Sequence, residues 1–380
     1  MQRFLRHDYY YHMRREFLIQ KITFILLLVS FVSFAQHHDA DHGAAAVETS
    51  SETSLKEEIK EFIGHHLLDS YDFSLFSYED EHGKDVHVGA PLPVILWDSE
   101  TGLNVFSSSN FHHGETPAES KGNFYKVYHS KIYKTDAAGT IHLDDHHHAT
   151  NEKPLDFSIT KNVAVIFLVS LLMFFIFSRM AKSYKTSALP TGFGRLLEPI
   201  ILYIRDDIAI PNIGKKKYKK YMSYLLTVFF FVWIINLLGL TPLGVNVTNN
   251  IAVTLALSLM TYFITTFSGN KDYWKHIFWM PGVPTPMKII LAPIELLGTI
   301  IKPFSLMIRL YANITAGHIV LMSIIGLMFI FKNWIGSPLS FGLAFALSLL
   351  ELLVAALQAY IFTMLSALYF GSAVEEHDHH

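Results

Sequence analysis

The stretch Ile289–Phe331, IILAPIELLGTIIKPFSLMIRLYANITAGHIVLMSIIGLMFIF, decides the fold. It runs for 43 residues without a polar loop and carries three formal charges, Glu295, Lys302 and Arg309. As one helix it would be ~64 Å long, about twice the ~30 Å hydrocarbon core of a bilayer. A second apolar run, Pro338–Gly371, follows after the six-residue turn Lys332–Ser337. Each run must bend, protrude or lie steeply tilted in the membrane. Pro293, Gly298, Pro303 and Gly317 permit bending. The expected arrangement is a tilted helical hairpin lying along another membrane surface.

The charges inside these runs carry the chemistry. Glu295, Lys302 and Arg309 are seven residues apart, which puts them on one helical stripe, and Asn313 shares it one turn beyond Arg309. His318, nine residues past Arg309, is predicted to point to nearly the opposite side. In the second run Glu351 is the only charge, and Gln358, seven residues on, shares its face. An Arg or acid at mid-membrane costs at least ~2.5–3.5 kcal/mol on insertion scales. An Arg also stays charged at any accessible pH. A fixed Arg beside titratable Glu and His points to a proton path with an electrostatic barrier. The structural alternative is a set of buried ion pairs that fix helix packing, with Lys302 snorkelling to the interface.

Outward from the hairpin, three further spans are predicted at Ile159–Phe177, Tyr221–Pro242 and Ile251–Phe267. The loop between the first two carries ten Lys and Arg against Glu198, Asp206 and Asp207, which places it in the cytoplasm. Within it Leu196, Ile200, Ile204 and Ile208 repeat every four residues, with Leu197 and Ile201 beside them. That pattern predicts an amphipathic helix, lying on the interface or packed on a partner.

The first 156 residues are a different material. Arg14, Arg15 and Lys21 precede the short apolar run Ile22–Ala35, which ends in small residues before Gln36, so residues 1–35 read as a signal peptide. Translation starting at Met13 would give it an n-region of normal length. Residues 36–156 hold 22 Asp and Glu against 8 Lys and Arg, together with 14 of the 21 His. An acidic surface tolerates translocation, so this domain is expected outside the cytoplasm. Residues 36–53 are of low complexity; Leu55, Ile59, Phe62, Ile63 and Leu67 recur at helical spacing; short strands are expected between Asp85 and Leu143. The fold class is therefore an all-α polytopic membrane protein of about five spans (157–371), with an interfacial helix, a small α+β extracytoplasmic domain (36–156) and a tail (372–380).

Ser305-Leu306-Met307-Ile308-Arg309-Leu310-Tyr311-Ala312-Asn313-Ile314-Thr315-Ala316-Gly317-His318 resembles the signature of subunit a of F-type ATP synthases. Leu291–Glu295, Asn236–Pro242, Asn249–Leu257, Glu198-Pro199-Ile200 with Ile204-Arg205-Asp206, and Glu351 with Leu357–Phe362 look like further parts of that family. The resemblance spans most of 157–375. The front domain lies outside the common family core and resembles the extension of some Bacteroidetes-like bacteria. The resemblance implies a stator subunit of the Fo proton channel in the bacterial inner membrane, not catalytic by itself and without a cofactor. It implies a c-subunit ring, the b subunits of the peripheral stalk, the remaining Fo and F1 subunits and membrane lipid as partners, and no nucleic acid. Arg309 would hold the passing ring carboxylate ionised. His318, Glu351, Gln358 and Asn236 would line the extracytoplasmic inlet, Asn313 would belong to the proton path, and Glu295 would line the outlet.

Two His clusters, His37, His38 and His42, and His142, His146, His147 and His148, have spacings that could bind Zn²⁺ or Cu²⁺, or could be solvated polar tract. A metal-cation transporter predicts several His or carboxylates paired across spans, and only His318 and Glu351 lie in the apolar core. A sensor or adhesin on a passive anchor predicts spans without buried charge, which these spans contradict.

Overall fold

In the computed structural model, residues 69–79, 85–114, 116–144, 148–186, 192, 194–241, 245, 247–280, 282–330 and 336–375 are described. The predicted signal peptide, the helix expected near 55–67, His37, His38, His42, His146 and His147 lie outside the described residues.

The front domain is built of strands. β1 (Asp72–Glu79) pairs antiparallel with β2 (Asp85–Pro91). β3 (Pro93–Asp98) lies between β4 (Gly102–Ser107) and the short β8 (Leu155–Asp156). β5 (Ala118–Ser120), β6 (Asn123–Tyr128) and β7 (Lys131–Thr135) form a meander. Alternation along β3 buries Val94, Leu96 and Asp98, and the two side chains Val94 and Leu96 meet Phe111, Tyr125 and Ile132 in a small core. The sheet hands the chain to the membrane: Phe157 N donates to Ile95 O at 2.8 Å, Ile159 N to Pro93 O at 3.1 Å, and Lys161 N to Ser70 O at 2.8 Å.

Among the described residues, five helices are long and apolar enough to cross a membrane. They are α1 (Lys161–Thr186), α4 (Tyr218–Gly239), α5 (Ile251–Ser268), α7 (Thr285–Ile330) and α8 (Gly336–Val374). α1 starts two residues later than predicted and runs nine residues past Phe177, because Arg179, Lys182 and Lys185 can stay helical with their charges at the interface. α8 starts at Gly336, inside the predicted turn.

The basic loop holds α2 (Gly194–Tyr203), a π-helical stretch Ile204–Ala209 and α3 (Ile210–Ile213) in direct succession. A repeat of four drifts around an α-helix, and the wider π turn takes up part of that drift. Leu197, Ile204, Ile208 and Ile213 are buried in the main core with α4 and α8, so this helix packs on protein. Leu196, predicted on the same apolar arc, is 62% exposed on its outer side. A short amphipathic helix, α6 (Lys271–Phe278), joins α5 to α7.

α7 and α8 run antiparallel, with 302 beside 369, 309 beside 358 and 318 beside 351. Leu306, Met307, Leu310, Ile314 and His318 make the buried stripe of α7. The opposite side exposes Ile300, Ile301, Phe304, Ile308 and Ile319, and α8 adds Leu349, Leu350, Leu353 and Leu357. Sequence patterning alone cannot separate two such apolar faces, since one meets protein and the other meets lipid or another subunit.

Candidate functional site: a buried couple in the helical hairpin

Glu351 sits about two-fifths of the way along α8, where its side chain turns toward α7 and is buried. His318 reaches it from α7, with Nδ1 3.5 Å from Glu351 Oε1, an ion-pair distance longer than an ordinary hydrogen bond. Glu351 Oε1 is buried and makes no hydrogen bond among the described residues. Two glycines create the space. A Cβ on Gly317 would stand 3.0 Å from Glu351 Oε1, and one on Gly239 of α4 would stand 3.4 Å from His318 Nε2. A methyl group at either position would therefore press on the couple.

Asn236, one turn before Gly239, is buried in α4. Its Oδ1 accepts from Thr248 Oγ1 at 3.1 Å, while its Nδ2 is buried without a partner among the described residues. Thr315 donates to Asn249 Oδ1, which ties α7 to the start of α5. Gln358 is buried, and its Nε2 donates to the backbone carbonyl of Arg309 at 3.3 Å. The Arg309 side chain is half-buried, off the buried stripe, and makes no hydrogen bond or ion pair among the described residues. The two differ in burial: His318 is buried and Arg309 is half-buried.

The structure brings His318 and Glu351 together and sets Gln358 apart from them, beside the backbone of Arg309; Gly239, one turn from Asn236, faces His318. Asn313 is exposed on the outer face, away from that group. Glu295 is half-buried near the start of α7, close enough to Tyr273 and Lys302 to interact electrostatically. Thr248 was not singled out from the sequence, and Asn249 and Thr315 only lie inside quoted stretches; the fold alone brings the two together. His142 and His148 are exposed, and no group of three metal-ligating side chains occurs among the described residues.

These features define the class: a polytopic α-helical membrane protein whose candidate site is a set of ionisable side chains embedded in a helical hairpin. Residues 163–371 match the family model described as ATP synthase A chain, and the chain belongs to that family. A second model, a domain of unknown function (DUF8433), matches residues 62–157. Among curated relatives, ATP synthase subunit a 2 of Chlorobaculum tepidum is 46% identical over 59% of this chain and 66% of its own length. ATP synthase subunit a of Myxococcus xanthus is 42% identical over 60% of this chain and 76% of its own length. ATP synthase subunit a of Pelodictyon phaeoclathratiforme is 41% identical over 70% of this chain and 80% of its own length.

Proposed function

We propose that this chain is the proton-conducting stator subunit of a bacterial Fo sector, seated in the inner membrane with its strand domain in the periplasm and a signal peptide removed from its front. The observation that carries this reading is the buried His318–Glu351 couple, 3.5 Å apart, on the same hairpin as a half-buried Arg309 with no counter-ion among the described residues.

Protons from the periplasmic side pass Asn236 to the couple, where His318 and Glu351 exchange one proton at low cost because each can neutralise the other. Gln358 fixes the backbone at Arg309, holding the guanidinium toward the open face. A ring of c subunits lies along that face, each presenting one carboxyl at mid-membrane. Arg309 holds the passing carboxylate ionised, so a proton cannot cross directly from inlet to outlet. The carboxylate takes a proton from the His318–Glu351 side, travels with the ring, and releases the proton toward Glu295 on the cytoplasmic side. The b subunits of the peripheral stalk hold the chain still, and the remaining Fo and F1 subunits carry the nucleotide chemistry; this chain needs no cofactor for its part.

The test is ATP-driven and passive proton movement in vesicles holding the complex with Arg309→Ala. Coupled pumping is lost and passive leak through the membrane sector rises. Lys at this position does not restore pumping, since a desolvated ammonium can give up its proton and a guanidinium does not. Pumping at the wild-type rate in the Ala variant would overturn the proposal.

A further inference from the structure

One face of the strand domain is apolar like a core, yet stays open among the described residues. β3 sends alternate side chains to opposite sides. Val94, Leu96 and Asp98 go inward, and Trp97 goes outward. The register carries the outward side across three strands. Trp97 stands opposite Leu103 of β4 and Leu155 of β8, and Ile95 stands opposite Val105 of β4. Phe157, whose N–H donates to the Ile95 carbonyl, completes that second row. Trp97 is 53%, Leu103 47%, Val105 58%, Leu155 47% and Phe157 42% exposed. Neither row holds a polar or charged side chain, although residues 36–156 carry 22 Asp and Glu against 8 Lys and Arg. Two rows of large apolar side chains, adjacent across three strands, mark a surface that meets something apolar.

The position of this face says what it meets. β8 runs on through Phe157 and Ile159 into α1, which begins at Lys161. Ile159 N donates to Pro93 O, so the Pro93 end of β3 lies nearest the membrane. Between Lys161 and Arg179 the chain holds 17 residues without a charge, ~26 Å of helix. The hydrocarbon core is ~30 Å thick, with a headgroup layer of ~5–7 Å on each side. With Arg179 at the cytoplasmic edge, the opposite edge of the hydrocarbon falls near Ile159. At ~3.3 Å per strand residue, the Val105–Ile95–Phe157 row then stands at most ~7 Å above that edge and the Leu103–Trp97–Leu155 row at most ~13 Å. The first row is at headgroup level even with upright strands, and the second joins it where the sheet leans over. Polarity is sorted in the same direction. The charged group of Lys134, Asp98, Glu100 and Glu152 sits at the end of the sheet away from α1. Two exposed lysines border the outer row: Lys121 Nζ donates to Leu103 O at 2.6 Å, and Lys153 lies two residues before Leu155. Aromatic rings and lysines at this height suit the boundary between acyl chains and lipid phosphates. A protein partner would not require polarity to follow distance from α1.

We infer that the outward face of the β4-β3-β8 sheet rests on the bilayer leaflet from which α1 starts, with Val105, Ile95 and Phe157 at headgroup depth, Trp97, Leu103 and Leu155 leaning onto the surface, and Lys121 and Lys153 beside lipid phosphates. The strand domain is thereby held against the membrane and does not hang free above it. This rests on α1 spanning the bilayer and is independent of the proton path.

The test is photolabelling of the intact complex in vesicles of phosphatidylethanolamine and phosphatidylglycerol, doped with a phospholipid that carries a diazirine on its acyl chain next to the glycerol. Peptide mass spectrometry then locates the adducts. Adducts on α1 report that the chain is embedded. Segments 93–107 and 155–159 carry adducts within about threefold of the α1 level, and segment 123–135 of the other sheet carries about tenfold fewer, because insertion follows buried apolar area. Trp97→Glu combined with Val105→Glu lowers the adducts on 155–159 several-fold and leaves those on α1 unchanged. Adducts on α1 with none on 93–107 overturn the inference, as does equal labelling of 93–107 and 123–135. Capture of another subunit by a photoreactive residue at position 97, in place of lipid, overturns it in favour of a protein contact. A lack of adducts on α1 overturns instead the embedding on which the inference rests. Should the double variant fail to assemble, the wild-type pattern decides the matter.

Discussion

The chain handles buried carboxylates in two opposite ways. In the strand domain Asp98 is 2% exposed and fully provided for. It accepts from Glu100 N at 2.8 Å and from the Tyr125 hydroxyl at 2.9 Å, and Lys134 Nζ lies 3.6 Å away. Lys134 also reaches Glu100 at 2.5 Å and Glu152 at 3.8 Å. In the hairpin Glu351 is about as buried, yet one of its oxygens has only His318 at 3.5 Å. A carboxylate that serves stability is surrounded by donors, which fix its charge. Glu351, which the proposed function has gain and lose a proton, is kept short of them. Burial is similar in the two places, so the number of donors is what separates the two carboxylates.

The largest effect should come from breaking the couple. His318→Ala and Glu351→Ala should each lower proton flux about 10²-fold or more, the scale of a lost proton-transfer group. The double change should cost less than the sum, because either single change already interrupts the relay. Exchanging the two residues should retain more flux than either half of the exchange. Pumping assays on the matched variants check this, and strictly additive losses would separate the pair.

Crowding the couple should do less. Gly317→Ala places a methyl group 3.0 Å from Glu351 Oε1. Overpacking of this kind costs about 1–3 kcal/mol. Flux should fall without vanishing and the thermal midpoint of the complex should drop, while Gly298→Ala, which meets nothing within 4 Å, should change neither.

In the strand domain the expected effects are on stability alone. Asp98→Ala leaves the Tyr125 hydroxyl and two backbone donors short of an acceptor, worth about 1–3 kcal/mol. Burial pushes the Asp98 carboxyl up, but the N–H groups of Glu100 and Thr101, the Tyr125 hydroxyl and Lys134 together hold it below the usual aspartate range. Its stabilising contribution is therefore complete above the unfolded pKa of about 4 and is lost as pH falls through the folded value. Hydrogen exchange at β3 and β4, corrected for intrinsic rates, should show protection falling in acid for the wild type and less so for Asp98→Asn. Lys134→Ala should be smallest, under about 1 kcal/mol and weaker still in high salt, because its acidic neighbours Glu100 and Glu152 are exposed.

The division between these two regions was legible before any coordinates. Run length gave the five spans, and the basic loop against the acidic front gave an orientation. Spacing put Glu351 and Gln358 on one face and turned His318 away from Arg309. Other features depend on distant parts of the chain. β1 escaped notice because DFSLFSYE mixes polar and apolar residues without clean alternation, and its partner strand supplies the order. The outward turn of Leu196 and the exposure of Asn313 follow from which helix lies alongside, which periodicity does not contain. Gly239 attracted notice only as part of a motif; a Cβ there would meet the Val245 carbonyl and the imidazole of a residue 79 positions later.

The far end of α8 is held more firmly than its length would require. Lys217 Nζ and Asn270 Nδ2 both donate to the carbonyl of Val374, at 2.8 and 3.1 Å, and Asn270 N donates to Ala373 O at 2.9 Å. Gly371 lies so close to the Asn212 carbonyl that a Cβ there would collide with it. The helix is thus a beam clamped at one end by two loops and a neighbouring backbone. A sideways push on its exposed middle makes it bend about that clamp, and the bending moment is largest at Gly371–Val374. With the proposed ring turning along it, the wall would flex by small amounts near Glu351 while its root stays fixed, much as a spring-loaded pawl rides over teeth without leaving its pivot.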